Sequence, residues 1–212
     1  MSEPKTRSQS ADDALEQFLR FDALGLRQKS KQAVLKLVEA VSSLEAKTVW
    51  THNYLEQLPL NGSGRIRHEI YEDIVFPALQ SGFDRGEAEA SYLLGKYAQN
   101  LYARPALREQ MEQRSEVDFF RLAFQGAPSS EKYRRAYLSS LMNSLRQDFH
   151  EWPTGILLDP AKPWRVALMD LKEELSIALS LDREGQFVAL LGKWSEITEQ
   201  YEKRLARREE HP

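Results

Sequence analysis

Apolar residues recur along this chain at intervals of three and four, the spacing that gathers them on one face of an α-helix. Over residues 28–58 the positions Val34, Leu37, Val38, Val41, Leu44, Val49 and Leu55 keep to it. That predicts a single helix of about 45 Å at 1.5 Å per residue. Ahead of it, Leu15, Phe18 and Leu19 mark a helix over 12–23 that Gly25 closes. Ile66, Ile70 and Ile74 open a third helix, continued by Val75, Phe76, Ala78 and Leu79. Pro77 is expected to kink it, because proline lacks the N–H and crowds the preceding turn. Further helices are predicted over 87–102, over 105–126 with Pro105 in the first turn, over 129–149, over 163–180 and over 183–208. Tyr133, Tyr137, Leu138, Leu141, Met142, Leu145 and Phe149 form the apolar face of the 129–149 helix. No segment alternates strictly with Val, Ile and Thr enrichment, so a sheet is not expected. The predicted fold is all-α, about eight helices, arranged as a helical bundle or as stacked helical hairpins.

Residues 1–10 are polar, contain Pro4 and show no periodicity, which predicts a disordered tail ahead of a single all-α domain over 11–212. The longest connection, 150–162, is the place for a subdivision. It carries Trp152, Ile156, Leu157 and Leu158, however, and apolar residues suit a packed loop better than a flexible linker.

Two stretches echo one another. Residues 84–97 read DRGEAEASYLLGKY and residues 182–194 read DREGQFVALLGKW, each with Leu-Leu-Gly-Lys followed by an aromatic, Tyr97 or Trp194. Glycine costs a helix interior about 1 kcal/mol relative to alanine, so a packing reason is expected at both Gly95 and Gly192. Residues 86–98, with Ala90, Leu94, Gly95 and Tyr97, resemble the first helix of a tetratricopeptide-type repeat, and 185–194 share part of the pattern. The resemblance implies a curved stack of helical hairpins whose concave face binds a peptide or another protein. An irregular helical bundle is the alternative.

Composition removes several chemistries. There is no cysteine, hence no disulfide, thiolate–metal site or cysteine nucleophile. A net charge of −3 with both signs mixed gives no general case for nucleic acid. No apolar run of membrane-spanning length occurs, and the first ten residues lack the apolar stretch of a secretory signal; a cytoplasmic location is expected.

Candidate sites are sparse. His68 and Glu72 are four apart on one helix face, with Glu69 beside them, but no second histidine completes a zinc motif, so a solvated pair is expected and no metal. Arg146 and His150 stand closer together than the Arg and His of HEPN-type helical RNases. His52 lies between Trp50 and Tyr54. The Asn61-Gly62-Ser63-Gly64 stretch lacks the lysine and spacing of a phosphate loop. Arg65, Arg67 and His68 crowd a helix start, where the dipole favours negative charge; either an acidic group of a partner answers them or Glu69, Glu72 and Asp73 do. Trp152 and Trp164 flank the long connection, and tryptophan is a common interface anchor.

The function expected is a cytosolic, non-catalytic protein-binding module without cofactor, such as a toxin-neutralising immunity protein or an assembly adaptor. Its partner is another protein, met by Arg65, Arg67, His68, Trp152 and Trp164, rather than a membrane or nucleic acid. The alternatives are a helical enzyme or nucleic-acid processor using Arg65, His68, Arg146 and His150, and a small-ligand regulator with a cavity among the aromatics. A homodimer along the long second helix stays open.

Overall fold

Ser43 divides what the hydrophobic spacing makes one long helix. In the computed structural model, which describes residues 7–58 and 66–210 (side chains over 9–58 and 66–207), the Ser43 hydroxyl accepts the N–H of Ala46 at 3.2 Å. Serine side chains compete with backbone carbonyls for such donors and therefore start helices well. The chain turns at 41–43, and α2 (Arg27–Ala40) gives way to α3 (Leu44–Gln57). No 45 Å rod forms, and the apolar stripe that would carry a homodimer contact is divided with it.

The first helix, α1 (Arg7–Ala23), starts inside the segment expected to be a tail, so residues 7–10 are helical. It pairs with α2 through a turn in which Gly25 adopts φ +69°, a left-handed conformation open to glycine at little cost.

The rod over 68–84 consists of α4 (His68–Ile70), a π-helical turn (Tyr71–Val75) and α5 (Phe76–Asp84). Pro77 cannot donate to the carbonyl four residues back, and its ring crowds that carbonyl. The widened turn relieves both problems, with the Phe76 N–H donating to the Tyr71 carbonyl five residues back. The expected kink thus takes the form of a π turn.

Two more predicted helices are interrupted. The 87–102 helix breaks at Tyr97 into α6 (Ala88–Lys96) and α7 (Ala98–Tyr102). The helix opened by Pro105 ends early as α8 (Pro105–Gln110), because Glu112 and Gln113 turn left-handed at φ 55° and 59°. Ser115 then restarts the chain as α9 (Glu116–Gly126). The Asp118 N–H donates to Ser115 Oγ at 3.2 Å and the Ser115 N–H to Asp118 Oδ2 at 2.9 Å, a reciprocal cap. With 68–84 taken as one rod, the described residues hold eleven helices rather than eight, and no strand. The three additional helices come from the breaks at 41–43, 97 and 111–115.

The chain forms two compact units that divide between Gly126 and Ala127. Phe18, Val34, Leu37, Ile70, Ile74, Phe76, Leu94, Tyr97 and Phe119 build the core of the first. In the second, α10 (Glu131–Phe149), α11 (Trp164–Leu181) and α12 (Val188–Glu210) enclose the predicted face of Tyr133 to Phe149, and Phe149 stacks on Trp194 at 5.1 Å. The 150–162 connection lies within this unit. Arg134, only 1% exposed, donates to the Leu181 carbonyl and to Glu131, and its Nη2 donates to both Glu184 carboxylate oxygens at 2.6 and 2.8 Å. These charge-assisted bonds pin the α11–α12 connection to α10. Asp182 accepts the N–H groups of Gln186 and Phe187 at 3.0 and 2.7 Å, which delays α12 to Val188. Among the described residues no helix is long and apolar enough to cross a membrane.

Candidate partner-binding surfaces

The basic cluster before α4 is answered from within its own unit. Arg67 Nη1 lies 3.1 Å from Asp22 Oδ1, its Nε 3.0 Å from Glu69 Oε2, and its guanidinium stands over the Phe18 ring at 5.9 Å. His68 Nε2 turns to Glu69 Oε1 at 3.1 Å rather than to Glu72, whose Oε2 lies 3.4 Å from Arg104 Nε. Burial pushes the Glu69 carboxyl up, but its own backbone N–H and the Arg67 guanidinium outweigh this and hold it below its ordinary value. Arg65 and the glycine-rich stretch before it lie outside the described residues.

Trp152 and Trp164 are both half-buried. The Arg204 guanidinium of α12 stands over the rings of Trp152 and Tyr201 at 5.5 and 4.7 Å and donates to the Pro153 and Thr154 carbonyls, each at 3.1 Å. Trp152 therefore helps fasten the 150–162 connection to α12. Trp164 carries the Arg165 guanidinium on its ring at 4.6 Å.

The remaining candidates go separate ways. Arg146 donates to Asn143 Oδ1 at 3.0 Å and covers Phe187. His150 meets the Gln147 carbonyl through Nδ1 and Glu151 through Nε2 at 2.8 Å. His52 pairs with Glu56 at 3.2 Å on the exposed side of α3. Among the described residues, no three His, Asp or Glu side chains gather as a metal set.

Three features escape the sequence reading. A cleft of about 540 Å³ opens where α1 meets the α2–α3 corner. Trp50 and Tyr54 stack in its wall with centroids 4.5 Å apart and planes at 17°, and burial, then Tyr97, pushes the Tyr54 hydroxyl up. Asp12, Glu45 and Glu56 line this cleft, and among the described residues no lysine or arginine does. The Trp50–Tyr54 spacing of four was a visible signal; the corner that opens the cleft was not.

The second feature is a groove of about 480 Å³ between α11 and α12, walled by Leu175, Leu179, Val188 and Leu191 with Gly192 among them. Here the two matching glycines part. A Cβ on Gly95 would meet the Phe120 ring of α9 at 2.9–3.2 Å, whereas a Cβ on Gly192 would meet nothing within 4 Å among the described residues. Among the described residues, the packing reason expected at both is found at Gly95 and not at Gly192.

The third is a cleft of about 260 Å³ holding Asp148, Asp159, Asp170, Glu174 and Lys162. Lys162 Nζ reaches Asp170 at 2.7 Å. Burial, reinforced by the Glu174 charge, pushes Asp148 up to about 6. Its neighbours come from α11 and the 150–162 connection, and no sequence spacing announces them.

Compared with known proteins, the chain matches no family model, no curated protein and no solved structure.

Proposed function

We propose that this protein is a non-catalytic protein-binding module whose partner lays an amphipathic helix into the groove between α11 and α12. The observation that carries the reading is Gly192. A glycine inside a helix costs about 1 kcal/mol relative to alanine, and among the described residues no group exploits the space it leaves. At Gly95, in the same Leu-Leu-Gly-Lys setting, an aromatic ring from a neighbouring helix fills that space. A partner's apolar side chain would cover Gly192 as Phe120 covers Gly95.

The walls suit such a guest. Leu179 and Val188 are 51% and 50% exposed, and Met169, seven residues before Ser176 on the same side of α11, is 64% exposed. Helices that dock in grooves present apolar anchors at successive turns, and exposed Leu179 and Val188 offer matching contacts beside the buried Leu175 and Leu191. In the first unit, Gly82 approaches Ala90 and Gly126 approaches Ala88 closely. These small-residue crossings of α5, α6 and α9 favour stacked hairpins over an irregular bundle. An immunity protein and an assembly adaptor are two roles such a module serves. The enzyme alternative has less behind it, since Arg146 and His150 turn to different partners.

The test compares capture of binding proteins by the wild-type chain and by Gly192→Trp, which fills the groove, with helicity checked by circular dichroism. A partner retained by the wild type, cross-linking through a photoreactive residue at Ser195 and lost with Gly192→Trp, supports the reading. Capture indifferent to Gly192→Trp overturns it.

A further inference from the structure

We propose that the cleft bounded by α1, α3 and the α2–α3 corner binds an extended segment of a partner protein that carries a basic residue at each end and apolar residues between. This site lies in the other unit and differs in chemistry from the α11–α12 groove, so neither depends on the other.

The charges set the ends. Glu45 and Glu56 are eleven residues apart on α3, three full turns, which puts them on one side of the helix about 16 Å apart. Asp12 adds a third carboxylate from α1, and no lysine or arginine among the described residues lines the cleft. Glu56 Oε1 lies 3.2 Å from His52 Nε2 on the exposed side of α3, with its side chain still 66% exposed. A span of about 16 Å matches about five residues of extended chain at 3.3 Å each.

The floor sets the middle. Between the carboxylates lie Ala11, Leu15, Ala46, Val49, Trp50 and Tyr54, and Val49 is exposed although it sits beside a stacked aromatic pair. Lysine and arginine lay their aliphatic stems on such surfaces while the charged heads reach the rim, and an aromatic face adds attraction for a cation. A free polyamine would satisfy the carboxylates but leave the apolar floor wet. A peptide with leucine between its basic ends satisfies both. The volume, about 540 Å³, falls in the range of about 300–1,000 Å³ typical of ligand clefts.

The full chain is titrated with a five-residue probe, acetyl-Arg-Ala-Leu-Ala-Arg-amide, whose Arg and Leu side chains share one face of an extended strand, with the same peptide bearing Glu for Arg, and with spermine. Binding is followed by the indole NMR resonance of Trp50, assigned with Trp50→Phe. The Arg probe is expected to bind one to one, to shift the Trp50 resonance, and to weaken as salt rises. Its affinity should fall about three-fold for each of Asp12→Asn, Glu45→Gln and Glu56→Gln, surface changes whose folding is checked by thermal melts. Gly192→Trp should bind it like the wild type, so loss of the groove reading would leave this result standing. No binding of the Arg probe, or equal binding of the Glu probe, overturns the proposal. Spermine binding as tightly as the peptide overturns it in favour of a small polyamine. Binding only after deletion of residues 1–6 overturns it in favour of the chain's own N-terminal segment.

Discussion

The ring of Phe120 lies so close to Gly95 that a Cβ there would stand 2.9 Å from a ring carbon. That contact makes α6 and α9 neighbours at a distance only glycine permits. Gly95→Ala must push the ring or the helix aside, and overpacking of this kind costs about 1–3 kcal/mol. Gly192→Ala meets nothing among the described residues and should instead stabilise the chain by about 1 kcal/mol through helix propensity. Urea denaturation of the two variants should move their midpoints in opposite directions. A loss at Gly192 comparable to that at Gly95 would mean the two positions pack alike, contrary to the geometry.

Asp148 predicts a stability that rises as pH falls toward the carboxylate range. Burial, then the Glu174 charge, raises it to about 6 from an ordinary 3.8, so the folded chain holds this proton more tightly than the unfolded chain does. Its contribution is complete below 3.8 and is lost as pH rises through about 6. The carboxyls held below their ordinary values, Glu69, Asp118 and Glu184, act in the opposite sense, and their contribution is lost only as pH falls below the ordinary carboxylate range. Between about pH 8 and pH 5 the melting temperature should therefore climb, and Asp148→Asn should be the more stable protein at pH 8 and lose most of that slope. Parallel melting curves for the wild type and Asp148→Asn across this interval would sink the assignment.

Much of the fold could be read from the chain because it follows from apolar spacing alone. The face of α10 from Tyr133 to Phe149 and the Ile66–Ile70–Ile74 ladder are buried as predicted. The breaks were harder, because two of the three depend on a polar side chain choosing the backbone over solvent. Ser43 capping Ala46 and the Ser115–Asp118 reciprocal cap sit inside runs whose apolar spacing continues undisturbed. The candidate surfaces were harder still. Leu179 and Val188 look like core residues in sequence, and only the geometry of α11 and α12 leaves them uncovered. The basic cluster failed differently: Asp22, which takes Arg67, is 45 residues away in the chain, beyond any local pattern.

Tyr71 sits in the π turn with its hydroxyl buried and without a hydrogen-bond partner among the described residues, and burial drives its ionisation well above the ordinary tyrosine range. Leaving a buried hydroxyl unsatisfied costs about 1–3 kcal/mol, while its ring packs usefully near Phe76 at 6.2 Å. Tyr71→Phe keeps the ring and removes the unsatisfied group. It should stabilise the protein by about 1 kcal/mol in equilibrium denaturation. A clear destabilisation would reveal a partner for the hydroxyl, such as an ordered water.

Arg204 holds the 150–162 connection by geometry rather than by charge alone. Its two terminal nitrogens donate to consecutive carbonyls, Pro153 and Thr154, while the planar group faces the rings of Trp152 and Tyr201. A lysine carries the same charge but has neither the fork nor the flat face. Arg204→Lys should therefore behave like Arg204→Met, each losing about 1–2 kcal/mol. The change should be local. The amides of Thr154 and Leu157, which donate to the Glu151 and Asp148 carbonyls, should exchange faster with solvent, and Trp152 emission should shift to the red. The α10 amides, held by the buried Leu141, Met142 and Leu145 face, should keep their protection. Full rescue by lysine would show that charge alone suffices, and faster exchange throughout α10 would show that the connection supports the whole second unit rather than merely lying against it.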